Sequence, residues 1–194
     1  MLEGFFENIE FLIEQPGQGK ILISEPFLPD PNFNRSVVLL TEHNNEGSVG
    51  FVLNRPSDML INDVIEDFPS FDATVFMGGP VGLDQLFYIH TLGDLLEHSV
   101  EIMPGLWWGG DFDQLKLLVD TNQVQDHQVR FFAGYSGWSP GQLKGEIEEK
   151  SWIVAKIDRE QVLKDSKSYW EDVMQGLGEK FKVMSRFPED PSLN

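Results

Sequence analysis

Residues 137–141 read Gly-Trp-Ser-Pro-Gly, which is the G-x-S-x-G pattern of a nucleophilic serine at a strand-to-helix turn. The oxyanion hole of such a site needs the backbone N–H of the residue after the serine, but Pro140 has no N–H. The pattern also places the catalytic histidine after the serine, and all four histidines of this chain precede it. We therefore expect Ser139 to have a structural role rather than a catalytic one.

The same segment has the pattern of a buried strand, a glycine turn and the start of a helix. Ser139 is predicted to cap that helix, with Pro140 at its first position and the Gln142 side chain reaching back to the cap backbone. Trp138 and Leu143 flank the cap with the spacing of a hydrophobic staple. Structural roles are therefore expected for these motif residues: Gly134, Tyr135, Gly137, Trp138, Ser139 and Gln142.

Two arginines are the best candidates for binding a ligand. Arg35 precedes one predicted strand and Arg55 follows the next, and the hairpin loop between them is centred near Asn45. In that register, positions whose numbers sum to 90, such as 35 and 55, face each other. Two guanidinium groups at one end of a sheet could hold a carboxylate or a phosphate. The alternative, which we favour, is pairing with the protein's own acids.

A second candidate for anion binding is the Gly-Gly-Pro run at residues 78–80, which follows a predicted strand. Backbone N–H groups at such a position can form a concavity that binds anions. Glycine at a tight crossing of the chain is the commoner reason for such a run, and no lysine lies nearby in the sequence. The predicted ligand-binding residues are therefore Arg35, Asn54, Arg55, Gly78, Gly79 and Pro80.

Other site patterns fail on particular residues. The Gly-Gln-Gly-Lys run at 17–20 is not a phosphate-binding loop, because Ile21 stands where a serine or threonine must bind magnesium. The histidines lack the spacing of metal ligands, and His90 lies in an apolar strand, where we expect a hydrogen-bonded core residue. The chain has no cysteine, which excludes thiol catalysis, disulfides and thiolate metal sites. We predict neither a metal nor a cofactor.

Composition and charge limit the classes of function. The 194 residues are 41% hydrophobic, which is enough for one domain with a substantial core. With 14 basic and 32 acidic residues the net charge is −18, so direct binding to nucleic acid is not expected. The start of the chain lacks a signal-peptide pattern, and no run approaches the roughly 20 apolar residues of a membrane span. We therefore expect a cytoplasmic protein with no membrane contact.

The elements that must position these residues follow from the hydrophobic periodicity. An amphipathic helix is predicted at 1–16, and a loop-like tail at 186–194, at the ends of a single domain that spans 1–194. Helices are also predicted at 60–68, after Asp111 and from Asp158 and Ser168 onwards. Strands are predicted at 20–24, 36–41, 48–53, 74–77, 85–91, 100–103, 106–108, in the run before Gly134, and at 152–157. Strands in runs with interspersed helices favour the α+β class.

Three blocks of sequence make this chain resemble the YqgE/AlgH family of bacterial proteins. The first combines Asp-Pro-Asn-Phe-Asn-Arg-Ser-Val-Val at 30–38 with Glu42, His43, Gly47, Gly50 and Asn-Arg-Pro at 54–56. The second is Gly-Gly-Pro-Val at 78–81. The third combines Gly-Tyr-Ser-Gly-Trp at 134–138 with Gly141, Gln142, Leu143, Glu146 and Trp152. Together the blocks span roughly residues 20–155, and their combination is specific.

The resemblance implies an α+β fold, a single compact domain with a small closed β-barrel and a bifurcated sheet surrounded by helices. Some family members are labelled transcriptional regulators, one of them through a link to alginate production. That label does not imply contact with DNA, and the resemblance supplies no catalytic residues to transfer.

We interpret the chain as a non-enzymatic regulatory or interaction protein that influences transcription indirectly, through a protein partner or a small anionic ligand. The main alternative is an enzyme that acts on an anionic small molecule. Its signature would be a pocket that joins the two arginines to a histidine or carboxylate with a perturbed pKa. A transcription factor that contacts DNA directly is less favoured, because it requires a clustered basic face. The identity of the ligand or partner and the oligomeric state stay open.

Overall fold

The computed structural model describes residues 15–188, so residues 1–14 of the helix predicted at 1–16 and most of the predicted tail at 186–194 lie outside the described residues. Within that range the chain forms a single α+β domain. Its strands are β1 (Ile21–Ser24), β2 (Val37–Asn44), β3 (Gly47–Val52), β4 (Pro56–Leu60), β5 (Thr74–Met77), β6 (Val81–His90), β7 (Val100–Met103), β8 (Leu106–Trp108), β9 (Val129–Trp138) and β10 (Trp152–Ala155). Its helices are α1 (Ile61–Val64), α2 (Phe112–Asp120), α3 (Gln142–Glu148), α4 (Arg159–Val162), α5 (Tyr169–Gly176) and α6 (Glu179–Met184).

The strands form one mostly antiparallel sheet that forks at β9. The order is β10–β1–β2–β3–β9–β6–β8–β7, while β5 pairs with β9 in parallel and carries β4 on its other edge. One edge of β9 is therefore shared, by β3 at residues 136–138 and by β5 at residues 131–133. This fork agrees with the bifurcated sheet that the resemblance implied.

The small closed barrel implied by the same resemblance is not formed. Within residues 15–188, β10 pairs with β1 and β7 pairs with β8, and these two end strands do not pair with each other. The sheet stays open because the strands diverge at the shared edge of β9 instead of continuing around a cylinder.

The β2–β3 hairpin has the predicted register over its inner half. Val38 lies opposite Val52, Leu39 opposite Phe51 and Leu40 opposite Gly50, so each pair sums to 90. The predicted loop at residues 42–47 is wrong, because a register shift after Leu40 absorbs one residue and lets pairing continue to Asn44. The predicted helix at 60–68 is also shorter in the structure, since β4 ends at Leu60 and α1 makes a single turn.

Each face of the sheet carries its own core, and alternate residues of β9 contribute to both. Phe132 belongs to a cluster that packs the sheet against α4, α5 and α6, through residues such as Val162, Trp170 and Phe181. Phe131 belongs to a second cluster, which includes Ile61 of α1 and Leu115 of α2. A third cluster packs α3 on the outer ends of β1, β2, β3 and β10, with Leu22, Val38, Trp138, Leu143 and Trp152.

The fork brings two segments into close contact where β5 ends. A Cβ atom at Gly78 would lie 2.3 Å from the carbonyl oxygen of Gly134, and one at Gly79 would lie 2.3 Å from that of Tyr135. These distances are too short for any side chain, so glycine is required. The Gly78 N–H donates to the Ala133 carbonyl at 2.9 Å, and the Gly78 carbonyl accepts from the Val52 N–H at 2.9 Å. The crossing explains these two glycines without an anion.

We expect Gly78→Ala to lower the free energy of unfolding by about 3 kcal/mol, because the new methyl group has backbone on one side and two phenylalanine side chains on the other. The control is Gly145→Ala in the middle of α3, where no atom lies within 4 Å of the added Cβ. That change should raise stability by about 1 kcal/mol through helix propensity. Urea denaturation of both variants is the measurement, and a near-neutral Gly78→Ala would contradict the tight crossing.

Candidate functional site

The Gly-Trp-Ser-Pro-Gly motif ends β9 and leads into α3, but Ser139 does not cap the helix as predicted. The helix begins at Gln142, and its N-terminal cap is Gly141 in the left-handed conformation, with φ at 80°. Pro140 therefore lies before the helix rather than at its first position. The predicted backward contact of Gln142 is confirmed, since its side-chain oxygen accepts the Ser139 N–H at 3.0 Å. The helix cap lies two residues later than predicted because glycine adopts the left-handed conformation of Gly141 more readily than serine does.

The rest of the motif acts through Glu146, one of the residues that carry the family resemblance. One carboxylate oxygen of Glu146 accepts the indole N–H groups of Trp138 and Trp152, each at 2.8 Å. The other oxygen accepts the Gln142 amide at 2.9 Å. Trp138 and Leu143 also share a hydrophobic cluster, which agrees with the predicted staple. This carboxylate fastens α3 to β9 and β10, so the motif joins elements of the fold.

Arg35 turns toward the C-terminal helices. Its guanidinium group lies 3.5 Å from the Glu171 carboxylate, stacks 5.0 Å from the Trp170 ring centre and donates to the Phe187 carbonyl. The Arg35 backbone has a positive φ of 47°, which marks a tightly held turn. These contacts agree with the internal-pairing alternative for this arginine.

Arg55 and Asn54 hold the loop that precedes β2. Arg55 donates to the carbonyls of Pro31 at 2.9 Å and Asn34 at 3.0 Å, and burial lowers its pKa. The Asn54 amide donates to the Arg35 carbonyl and accepts the Val37 N–H, both at 2.9 Å. The predicted residues thus meet around one loop, residues 30–36. Their proposed ligand contacts stay a prediction, as do those of Gly79 and Pro80.

His90 is the buried, hydrogen-bonded residue that the sequence predicted. Its side chain is fully buried, its Nδ1 accepts the Leu92 N–H at 3.2 Å, and its Nε2 donates to the Gly109 carbonyl at 3.0 Å. Burial lowers the pKa of His90 to about 4, because the charged imidazolium loses its hydration. The histidine is therefore neutral near pH 7 and committed to the fold on both ring nitrogens.

Arg130 is a buried charge with several hydrogen-bond partners, and sequence reasoning missed it. It lies in the middle of the sheet on β9 and is only 5% exposed. Its guanidinium group donates to the Val162 and Leu163 carbonyls at 3.0 Å each, and it also contacts the carbonyls of Leu53 and Lys164 at 3.3 Å. A single charge inside the apolar run 129–133 was the available signal, because arginine is almost never buried without partners.

Arg130 also carries one ion pair and one aromatic contact. Its Nη2 donates to the Asp165 carboxylate at 2.8 Å, and the guanidinium carbon lies 4.4 Å from the Phe76 ring centre. Burial lowers the pKa of Arg130, and the charge of Asp165 opposes this effect. Because three of the four backbone carbonyls belong to the end of α4 and the residues after it, Arg130 caps that helix from inside the sheet.

The segment 163–168, which joins α4 to α5, forms one wall of a cavity of about 540 Å³ that we call the linker cleft. The opposite wall comes from the end of β3, the start of β4 and β5. A smaller cavity of about 150 Å³ has Arg130 in its wall, and Asp165 borders both cavities. The polar residues that line the linker cleft are Asn54, Thr74, Lys164, Asp165, Ser166, Lys167 and Tyr169.

Two further cavities lie elsewhere on the domain. One of about 500 Å³ lies beside the β2–β3 hairpin, with Glu42, Glu46 and Tyr135 in its wall. The other, of about 350 Å³, is apolar and contains Leu86 and Trp108. Across residues 15–188, no group of three or more acidic, histidine or cysteine side chains could hold a metal ion. In the same range, no helix is both long and apolar enough to cross a membrane.

These features define a single α+β domain with a forked open sheet, a buried arginine at its centre and an open polar cleft beside that arginine. The family described as AlgH-like, DUF179, matches residues 21–182. A UPF0301 protein of Cytophaga hutchinsonii is 46% identical over 179 residues, which cover 91% of this chain and 98% of that protein. A UPF0301 protein of Chlorobaculum tepidum is 43% identical over 186 residues, with 95% and 98% covered. The chain therefore belongs to the AlgH-like family.

Solved structures share the fold. The solution structure of the AlgH protein from Pseudomonas aeruginosa has a TM-score of 0.71 at 25% identity and covers 91% of this chain and 98% of its own. The crystal structure of protein DIP2367 from Corynebacterium diphtheriae has a TM-score of 0.75 at 24% identity, with 94% and 100% covered. At that identity the second comparison concerns the fold alone.

The buried neutral state of His90 predicts a pH dependence of stability. Its folded pKa lies below the ordinary value of 6.5, so between these values the unfolded chain binds a proton that the folded protein does not. Stability from this residue is complete above pH 6.5 and falls by about 3 kcal/mol as the pH drops toward 4. In denaturant titrations, His90→Gln should flatten the stability profile in that window.

The matched control is His127→Gln, because the His127 side chain is 77% exposed. It should keep the slope of the unsubstituted protein. The comparison uses slopes, since His90→Gln can also change stability at every pH. Equal slopes in all three proteins would mean that His90 titrates normally.

Loss of Arg130 should destabilise the fold more than loss of an exposed arginine. We expect Arg130→Met to lower the free energy of unfolding by about 3 kcal/mol, because the carbonyls after α4 lose their donor. Arg159→Met removes an arginine that is 48% exposed and pairs with Glu160, and should cost under about 1 kcal/mol. Chemical denaturation at one pH compares the two. Similar losses of stability in the two variants would show that the buried contacts of Arg130 contribute no more than those of an exposed arginine.

Proposed function

We propose that this AlgH-like protein is a cytoplasmic, non-enzymatic regulatory module whose linker cleft binds a small anionic molecule. The observation that supports it most directly is the composition of that cleft. Two of the chain's 14 basic residues, Lys164 and Lys167, lie on its wall, beside the buried Arg130. The lining thus sets two lysines against one acid, Asp165, in a protein whose net charge is −18.

The polar groups around the cleft suit recognition better than catalysis. Ser166 donates to the Asp172 carboxylate at 2.7 Å, and the Tyr169 hydroxyl donates to the Gln161 carbonyl at 2.9 Å. Burial raises the pKa of Tyr169, which keeps that hydroxyl protonated. An enzyme would need a nucleophile or a base that is both accessible and activated. The enzymatic alternative is therefore less favoured, since His90 is enclosed and Ser139 is followed by proline.

The position of the cleft suggests how the binding of a ligand could affect the binding of a protein partner. Its wall is the segment 163–168, which connects α4 to α5 and α6, and α5 packs on the sheet through the buried Tyr169 and Trp170. A ligand that orders or shifts this segment would change the surface formed by the last two helices. An effect on transcription would then act through a protein partner, because the net charge opposes direct contact with DNA.

The test is a thermal-shift panel of phosphorylated and carboxylated metabolites, with uncharged sugars as negative controls. We expect at least one anionic compound to raise the melting temperature of the unsubstituted protein, as specific binding to the folded state must. The double variant Lys164→Glu, Lys167→Glu should lose that response. The control Lys144→Glu, Lys180→Glu changes the net charge equally on exposed sites elsewhere and should keep it. Equal responses of the two double variants, or none from the unsubstituted protein, would reject the proposal.

A further inference from the structure

We propose that the carboxylate of Asp165 is an exchangeable counter-ion, and that an anionic group of the ligand replaces it on Arg130. This inference rests on the proposed function, because it concerns the same cleft. It adds the chemical class of the recognised group, a carboxylate or a phosphate, and the atom that receives it, Arg130 Nη2.

The first argument is the unequal burial of the two partners. The Arg130 side chain is 5% exposed, whereas the Asp165 side chain is 85% exposed, although their charged atoms lie 2.8 Å apart. An exposed carboxylate keeps most of its hydration when it leaves a pair, so its release costs little. A buried guanidinium group has no such alternative and needs an acceptor at all times. Asp165 can therefore leave the ion pair at low cost, provided that another anion takes its place on Arg130.

The second argument is the position of Asp165 between the two cavities. Asp165, Thr74 and Phe76 border both the linker cleft and the smaller cavity that reaches Arg130. Rotation of the Asp165 side chain into solvent would connect the two spaces and uncover Nη2 to a molecule in the linker cleft. Rotation of this side chain need not move the four carbonyls on Arg130, since all four belong to the backbone, at Leu53 and at residues 162–164.

The third argument is the difference in charge between the two cavities that Asp165 borders. The smaller cavity contains Asp72 and Asp126, so an anion would be repelled there. The linker cleft instead contains Lys164 and Lys167, and Lys164 lies 4.0 Å from its acidic neighbour Asp172. A ligand with two negative charges fits this arrangement, with one charge on Arg130 and the other facing the lysines.

The experiment compares Asp165→Asn with Asp172→Asn by isothermal titration calorimetry at constant ionic strength. Each variant removes one negative charge, Asp165 from the wall of the cleft and Asp172 from beside Lys164, but only the first removes the partner of Arg130. The probes are inorganic phosphate and succinate, with acetate as the singly charged comparison. We expect Asp165→Asn to bind phosphate or succinate roughly fivefold more tightly than the unsubstituted protein, because the ligand no longer has to break the Arg130–Asp165 ion pair. The factor corresponds to the strength of an ordinary exposed ion pair. Asp172→Asn should change the affinity less than about twofold, because salt screens the lost charge.

A second measurement removes the ambiguity of a folding defect. In Asp165→Asn with labelled arginine, the guanidinium NMR signals of Arg130 should shift when phosphate or succinate is added. Those of Arg159, which is exposed and paired with Glu160, should not. Preference between phosphate and succinate identifies which anionic group the site recognises.

The outcomes separate the two proposals. If the cleft lysines are required for binding but Asp165→Asn and Asp172→Asn behave alike, the exchange on Arg130 is wrong and the proposed function stands. If Asp165→Asn binds neither probe, or Arg130 gives no signal change on binding, the exchange is also wrong. If only the cleft lysines prove irrelevant while Asp165→Asn still gains affinity, the exchange is correct and the lysine-based argument for the function fails.

Discussion

The hydrogen bonds of Arg130 are the constraint on which the rest of this structure depends. A guanidinium group in the interior must satisfy several donors at once, and here it reaches carbonyls from the end of β3 and from the residues after α4. Those contacts cross 32 to 34 positions between β9 and the segment after α4. The C-terminal helices therefore depend on a polar anchor inside the sheet as well as on apolar packing, and the linker cleft opens directly beside that anchor.

The second constraint is the shared edge of β9. Because β3 and β5 both pair along that edge, the chain must pass very close to β9 at the end of β5, which explains Gly78 and Gly79. The Arg55 carbonyl after β3 accepts the Met77 N–H of β5 at 2.8 Å, and Asn54 and Thr74 from these two segments line the cleft.

Features that depend on near neighbours could be predicted from the sequence. The helix starts at Asp111 and Asp158 were confirmed, since each side chain accepts the N–H three residues later. The hairpin register followed from the centre of its loop, although the shift after Leu40 did not, because a bulge depends on contacts beyond the two strands. The open sheet and the partners of Arg130 were not predictable in this way, since both require pairings distant in sequence. Ser139 failed as a cap because a second turn-forming residue, Gly141, lay within reach.

The contacts of the three arginines explain why the proposed site lies at Arg130 and not at Arg35 and Arg55, as the sequence predicted. The hairpin places the backbones of Arg35 and Arg55 at one end of the sheet. It does not fix the direction of their side chains, and the two guanidinium groups donate to different acceptors. Arg35 pairs with the partly buried Glu171, and Arg55 contacts two carbonyls that belong to one loop. Arg130 differs because its single carboxylate partner is almost fully exposed and lies on a segment that borders two cavities. A buried cation whose counter-ion is exposed keeps the fold through its carbonyl contacts and can still exchange that one partner. Structural and ligand-binding roles are therefore compatible at Arg130, whereas the contacts described for Arg35 and Arg55 serve the fold.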